Sequence, residues 1–471
     1  MTYGNDTKKK AAYIFAGLGM MLNIRLAYSS APYALIRFEL PENLFSVFVR
    51  RMASALELWC LPGFLIVNVM DLIRIHGTGT PPKTEDAWGY NYQSIIVQWL
   101  NFLTFVILFF VYRAGGDTGH LTVYYLVIAI SGFVFGLSNP LVYAVNYNYV
   151  PVYMAGENSF PMVTSLIHYL TTLIFGNRRK WNSDFLIVCI DIWVAIIISF
   201  VAAILWTWAF SSEYKPPGGG GATPNFNLVS PVAMVIVGMG LVYAIYPGIA
   251  PGMIVPFYLI DKIEMVLLIA TAFPPLIVAI LRELKSPYSP QHYVYHGENR
   301  LGNGFYGWTE YTAHQGKPNN KEAGPEEACN PDSSGNQGTH VTVHTGFYHA
   351  FDILIVVKIT LAGVFIYSLH YKESSLSRSI INQPKMSTFL SITFYMCHEF
   401  LLALGFPGII GNNGADYILI PQYIGALLMI FLAFYSEGYI IEYKSHYPAN
   451  CPTDRMWYLY GYYQLNPNFL L

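Results

Sequence analysis

About eleven stretches of this chain, each roughly 20 residues or longer and mostly apolar, match the length an α-helix needs to cross a bilayer. They lie at approximately 12–35, 43–71, 93–113, 120–146, 150–175, 184–210, 228–255, 257–282, 347–370, 387–410 and 417–441. Within hydrocarbon every backbone N–H and C=O has to be satisfied inside the protein, so runs of this length resolve as helices. Composition points the same way: 54% of the 471 residues are hydrophobic and 11% charged, against about a quarter charged in soluble domains. The pattern predicts an all-α, polytopic integral membrane protein. Trp99, Trp181, Tyr443 and Trp457 lie near the ends of runs, where amphipathic rings sit at headgroup depth.

Polar segments divide the runs. "SSEYKPPGGGGATPNFN" reads as a flexible Gly/Pro linker. It separates a six-helix N-terminal part, 1–210, from a C-terminal part of about five helices, 228–471, with 211–227 between them. A polar loop, 283–346, interrupts the second part and is too polar to pack a large core. "KKKAAYIFAGLGMML" has the basic start and apolar core of a secretory signal, but Asn23 and Arg25 interrupt the core and the apolar character resumes, which favours an uncleaved first helix. Lys8, Lys9 and Lys10 direct the N-terminus to the cytoplasm, whereas Arg178, Arg179 and Lys180, five helices later, give the opposite orientation. A net charge of -2 provides no basic field for nucleic acid. Cys60, Cys189 and Cys397 fall in helices, and Cys329 and Cys451 in polar segments on opposite faces.

Charges inside the apolar runs are costly, at about 2.5–3.5 kcal/mol each near the bilayer centre, and ordinarily face a bundle interior or a wet cavity. This chain has Arg25, Glu57, Glu157, Asp191, Asp261, Glu264, Asp352, Lys358, His398 and Glu399. As a set they predict a polar pathway. The densest polar stretch is "GLSNPLVYAVNYNYVPVYMAGEN", Gly136 to Asn158, with four asparagines, four tyrosines, two prolines and a glutamate. Asn139, Asn146 and Glu157 offer donors and acceptors and the tyrosines flat faces, which suits a planar polar solute; interhelical hydrogen bonding is the structural alternative. "LPGF", "YPGIAPG" and "FPGIIG" each place Pro-Gly in an apolar run, a pattern of broken helices that marks some transporter sites and equally fits ordinary kinks.

Enzymatic signatures are missing: "HEFLL" lacks the second histidine of a zinc protease, and there is no nucleophile elbow or P-loop. No catalysis and no cofactor are expected. The loop's "HYVYH" and "HVTVH" alternate as extended chain does, which sets the two histidines of each pair about 13 Å apart. Only an antiparallel pairing of the two segments would let them share a metal, so none is expected.

Several of these stretches resemble the equilibrative nucleoside transporters. "GLGMMLNIRLAYSSAPYALIRFELPENLFSVF" is similar to that family's first helix and the start of its second. Gly136, Asn139, Pro151, Tyr153 and Gly156 follow its fourth and fifth helices, with Glu157 in place of a glutamine. "YPGIAPG" resembles its Phe-Pro step, and "FYLIDKIEM" retains Phe257 and Asp261 of its eighth helix. The departures are that Asn23, Ile24 and Arg25 replace Pro-Trp-Asn, Tyr143 replaces a glutamine, and Glu264 and Met265 replace Gly-Arg. The chain is also similar to the multi-copy, multi-pass membrane proteins of apicomplexan piroplasms.

The resemblance implies a six-plus-five, major-facilitator-like fold that moves a nucleoside or nucleobase by alternating access, in the plasma membrane. Glu157 and Asp261 would be acidic contacts, Asn139 and Tyr143 would orient the solute, and Arg25 would neutralise an acid across the bundle. The alternative is a non-transporting surface protein that engages host or partner molecules through loop 283–346.

Overall fold

Each of the eleven apolar runs contains helix, and the one at 228–255 is helical only as far as Ile245. The structure, a computed structural model, describes residues 2–20, 22–40, 45–77, 90–114, 119–176, 183–211, 226–284, 289–290, 310–315, 339–344, 347–412 and 414–445. The helices are α1 (Thr2–Met20), α2 (Leu22–Arg37), α3 (Phe45–Gly77), α4 (Asn91–Arg113), α5 (Leu121–Val145), α6 (Val150–Phe175), α7 (Ser183–Phe210), α8 (Val229–Gly240), α9 (Val242–Ile245), α10 (Phe257–Ala270), α11 (Phe273–Glu283), α12 (Ile353–His370), α13 (Ser375–Ile381), α14 (Pro384–Gly411) and α15 (Leu419–Ser445). Among the described residues, eight helical stretches are long and apolar enough to cross a membrane. The runs at 12–35, 150–175 and 228–255 are helical without joining that set. For 150–175 the reason is the polar content of α6 around Glu157, Asn158 and Ser159; for 228–255 it is that α8 has only 12 residues.

Packing is heaviest within two groups of helices. In the first, α3 lies along α5, α1 packs on both α6 and α7, and α4 packs on α5 and α7; in the second, α8 lies against α14 and α15, α9 against α15, and α12 against α14. The groups meet where α6 touches α10, α11 and α14, and where α3 touches α15. One apolar cluster crosses this boundary, joining Tyr13, Tyr143 and Tyr153 to Val235, Phe406, Ile410 and Ile430.

Glycines set the closest approaches. A Cβ on Gly136 of α5 would stand 2.1 Å from the Cys60 carbonyl oxygen of α3, and one on Gly156 of α6 would stand 2.4 Å from the Ile14 carbonyl oxygen of α1. Lipid tails are as apolar as leucine, so helices in a bilayer associate through packing of this kind rather than through hydrophobic exclusion.

The three Pro-Gly steps separate into two behaviours. Pro62 and Pro407 lie inside the continuous helices α3 and α14, so the interruptions expected in the second and tenth runs do not break them. Pro247 and Pro251 do end a helix: α9 stops at Ile245, Tyr246 is extended at ψ 139°, and turns carry the chain to Pro256. A residue before proline is pushed out of the helical region, and two such steps four residues apart leave no room for a turn of helix.

Two short strands in the loop, β1 (Glu310–Gln315) and β2 (Thr339–His344), pair antiparallel, with His340 in register with His314. The extended form expected for "HVTVH" is observed, but its partner is not "HYVYH". His292, His296, Cys329, Cys451, Trp181, Trp457, Arg178, Arg179, Lys180 and most of the linker lie outside the described residues.

Candidate functional site

The polar stretch 136–158 folds as the end of α5, a tight connection and the start of α6. Asn146 ends α5 in an extended conformation, and its side chain accepts from the backbone N–H of Asn148 at 3.1 Å. Its carbonyl accepts from the Tyr13 hydroxyl at 3.1 Å. Asn146 is therefore a structural cap rather than a solute contact. Pro151 opens α6 in the first turn, where its missing N–H costs nothing.

Asn139 and Tyr143 are four residues apart on α5, as are Tyr153 and Glu157 on α6, so each pair shares a helix face. Gln422 of α15 donates its Nε2 hydrogen to the Asn139 Oδ1 at 3.0 Å. The Tyr143 ring meets Tyr153 edge-on at 5.6 Å and Phe406 of α14 at 5.2 Å. Both tyrosine side chains are buried. The Tyr153 hydroxyl and the Gln422 Oε1 are buried without a hydrogen-bond partner among the described residues.

Three further groups converge here from the second set of helices. Lys358 of α12 is fully buried; its Nζ donates to the Gly238 carbonyl at 2.6 Å and lies 5.2 Å from the centre of the Phe394 ring. His398 of α14 donates from Nδ1 to the same carbonyl at 2.7 Å. That oxygen is available because α8 ends at Gly240, and the last four carbonyls of a helix have no intrahelical donor. A cation at this end also meets the negative pole of the helix dipole. Glu399 is 4% exposed and lies within electrostatic reach of Lys358 and, across the boundary, of Glu157. Glu157 is half-buried. Neither carboxylate has a hydrogen bond or ion pair among the described residues.

Of the residues singled out in the sequence, Asn139, Tyr143 and Glu157 come together. Arg25 and Asp261 lie on α2 and α10, but their side chains, like that of Glu264, fall outside the described residues. The site also contains Tyr153, Lys358, His398, Glu399, Phe406 and Gln422. Lys358, His398 and Glu399 were legible as charges inside apolar runs, though not as neighbours.

Other embedded charges make local pairs instead of extending a pathway. Asp191 of α7 meets His168 of α6 at 2.7 Å, beside a crevice of about 20 Å³ lined by Leu22, Leu26 and Thr164, room for about one water. Asp352 accepts from Ser230 at 2.6 Å.

At one end of the boundary lies an ionic network. Lys10 of α1 bonds Asp6 at 2.6 Å and Glu283 of α11 at 2.5 Å. The Tyr149 hydroxyl donates to Asp6 at 2.6 Å, and the Arg282 guanidinium lies 5.1 Å from the centre of the Tyr149 ring. Partial burial works against charge on Asp6, but the hydrogen bonds from Lys10 and Tyr149 and the nearby Lys10 and Arg282 charges outweigh it and hold the carboxyl below its ordinary value. Burial likewise opposes the Lys10 charge, and Asp6 and Glu283 reverse that, raising the ammonium above its ordinary value.

No family model and no curated protein matches the chain. Among solved structures it superposes on a bacterial homologue of the iron transporter ferroportin in its outward-facing state. The TM-score is 0.40 with soaked iron and 0.41 for a second structure of that state, at 11% and 12% identity, covering 93% of this chain in both cases and 99% and 100% of those chains. The likeness is loose.

Proposed function

We propose that this integral membrane protein is a transporter that moves a small polar solute by alternating access, with the cluster around Glu157 and Glu399 as its central site. One observation carries the reading: buried polar groups from α5 and α6 meet others from α12, α14 and α15 at the boundary between two helix groups. Alternating access requires a site shared by two bodies that rock against each other, and such sites lie at their interface. The six-plus-five division is part of this proposal, with residues 1–210 and 228–471 as the two bodies.

A nucleoside or nucleobase is the solute class favoured by the residues. The rings of Tyr143, Tyr153 and Phe406 offer flat apolar faces, and the Asn139–Gln422 amide pair offers donors and acceptors in reach of ring heteroatoms. Asp261 remains a second acidic contact in this reading, through α10, which packs on both α6 and α14. Arg25 remains a counter-charge to an acid across the bundle.

Uptake of labelled uridine, adenosine, hypoxanthine and leucine by transport-deficient cells expressing the chain tests the proposal. The expected result is saturable uptake of at least one nucleoside or nucleobase, lost in Tyr143→Ala at unchanged surface expression. Leucine uptake alone would overturn the solute class, and no uptake of any probe by a well-expressed chain would overturn transport of these solutes.

A further inference from the structure

Burial along the boundary differs between its two ends. Chain order puts the start of α1, the end of α5, the start of α6 and the ends of α11 and α14 at one face of the membrane, the N-terminal face. Near it, Val150 to Gly156 of α6 and Ala403 to Gly411 of α14 are buried without a break, which at about 3.6 residues per turn covers each helix all round. Towards the opposite face α6 buries only Phe160 and Thr171. There α14 buries Ser387, Ser391, Phe394 and Cys397, the spacing of a helix covered on one side. The apolar clusters agree. The cluster that crosses the boundary draws Tyr13, Tyr153, Val235 and Phe406 from the N-terminal half, whereas the large clusters of the other half each stay inside one helix group. The two groups are clamped at the N-terminal face and joined less closely at the other.

An ion pair crosses the clamped end, from Lys10 of α1 to Glu283 of α11 at 2.5 Å. Although α11 touches α6, it is anchored in the second group, where Val278 is buried with Met234 of α8 and Leu401 and Leu404 of α14. Each member of the pair has a second partner on its own side. Lys10 also bonds Asp6, one turn away on α1, at 2.6 Å, and Glu283 lies 3.6 Å from the guanidinium of its neighbour Arg282. The Tyr149 hydroxyl holds Asp6 in place at 2.6 Å. Parting the groups therefore breaks the Lys10–Glu283 bond and leaves two neutral pairs, Asp6–Lys10 on one body and Arg282–Glu283 on the other. Separating an ion pair is expensive chiefly when it leaves a charge without a counter-ion, and here neither charge is left so. A purely structural tie has no use for such spare partners.

We infer that the Lys10–Glu283 bond is the latch of a gate at the N-terminal face: it joins α1 to α11 while that face is closed, and when the face opens Lys10 passes wholly to Asp6 and Glu283 to Arg282. The gate deepens the transporter reading and rests on it for the solute that passes through. The opening itself is measured without solute.

Ala144→Cys places a thiol near the end of α5, where Ala144 is half-buried against the crossing cluster. Its rate of reaction with a water-soluble maleimide, in the purified full-length chain with no solute present, reports opening of the N-terminal face; the chain without this substitution gives the background of the native cysteines. Adding Lys10→Met or Glu283→Gln should raise the rate about twofold to fivefold, the factor an exposed ion pair carries. Asp6→Asn should do the opposite. Asparagine still accepts from Tyr149, but Lys10 loses the carboxylate on its own helix and depends on Glu283, so the rate falls below that of Ala144→Cys alone. A network that merely braced the fold would loosen with every one of these substitutions. An unchanged or faster rate in Asp6→Asn, or no acceleration in Lys10→Met, would therefore overturn the latch. Uptake by a chain whose labelling ignores Lys10 would remove the latch and leave transport standing, whereas labelling as expected in a chain that takes up no probe would remove the transport reading and leave the gate.

Discussion

Replacing Gly136 by alanine should destabilise the first helix group measurably, because no space exists for the added methyl. Its Cβ would stand 2.1 Å from the Cys60 carbonyl oxygen and 2.8 Å from the Cys60 carbonyl carbon, where ordinary contact begins at 3.4 Å. The obstacle is helix backbone on both sides, since Gly63 of α3 in turn packs on the Phe133–Leu137 backbone of α5. The helices must therefore part by about 1.3 Å, judged from the same contact. Overpacking of this kind costs about 1–3 kcal/mol, and a gap of 0.5–1 Å already forfeits about a quarter to a half of the dispersion attraction along the seam. Gly363 of α12 is the control, because a Cβ there meets nothing within 4 Å. Gly363→Ala should be neutral or slightly stabilising, given the roughly 1 kcal/mol helix preference of alanine over glycine. The assay is thermal unfolding in detergent, followed by reaction of the buried thiols of Cys60 and Cys397 with a fluorogenic maleimide. If Gly136→Ala and Gly363→Ala unfold at the same temperature, the close approach of α3 and α5 does not support the fold in the way argued.

The Asn139–Gln422 bond links the two helix groups, so a double-mutant cycle of Asn139→Ala and Gln422→Ala should give a coupling of about 0.6 kcal/mol, the average for such bonds in membrane bundles; zero coupling would remove it as a link. Asp6 sits below its ordinary 3.8 and Lys10 above its ordinary 10.5. The Asp6 contribution is therefore present above about pH 4 and lost as acid protonates its folded-state carboxyl, while the Lys10 contribution is full below about pH 10 and lost in alkali. Solvent screening of these part-exposed groups keeps the total near or below about 1 kcal/mol, so Lys10→Met should flatten the acid and alkaline edges of a melting-temperature profile while moving its neutral plateau only slightly. Trp206 is fully buried and donates to the Ser94 hydroxyl at 2.8 Å, which itself donates to the Asn91 carbonyl; Trp206→Phe should cost about 1–3 kcal/mol by removing the indole hydrogen bond and opening space, read as a fall in melting temperature.

The helical architecture was legible because hydrocarbon permits few alternatives: an apolar run has to satisfy its own backbone, and the runs did so mainly as helix, with turns at 246–255 the exception. Asn139, Tyr143 and Glu157 were legible because they fall in one polar stretch whose spacing puts them on inward faces. The rest of the site was hidden for identifiable reasons. Gln422 lies 283 residues from its partner, and no local pattern reports a pairing at that distance. The Gly238 carbonyl, which gathers Lys358 and His398, is a backbone atom, and its availability comes from the end of α8 rather than from any residue type. The Pro-Gly steps show how context overrides a motif. Pro62 and Pro407 are carried within the long helices α3 and α14, as packed membrane helices tolerate, whereas Pro247, followed so soon by Pro251, is not. Asp191 and Asp352 were grouped with the pathway residues because an embedded charge carries no label for its partner; His168 and Ser230 had to be seen beside them.

The position of α1 bears on the order in which the protein is made. It is synthesised well before the helices α6 and α7 on which it packs, and the contact between Gly17 and the backbone at Tyr153 and Gly156 cannot form until about 140 residues more have been added. At about 5–20 residues per second, that interval is on the order of 7–30 s. Until then α1 has neither the close glycine seam that holds it nor the carbonyls of Val142 and Asn146 that take up the Tyr13 hydroxyl. Lys10 waits longer still for Glu283, so the C-terminal half of α1 is fastened to the rest of the protein before its middle is.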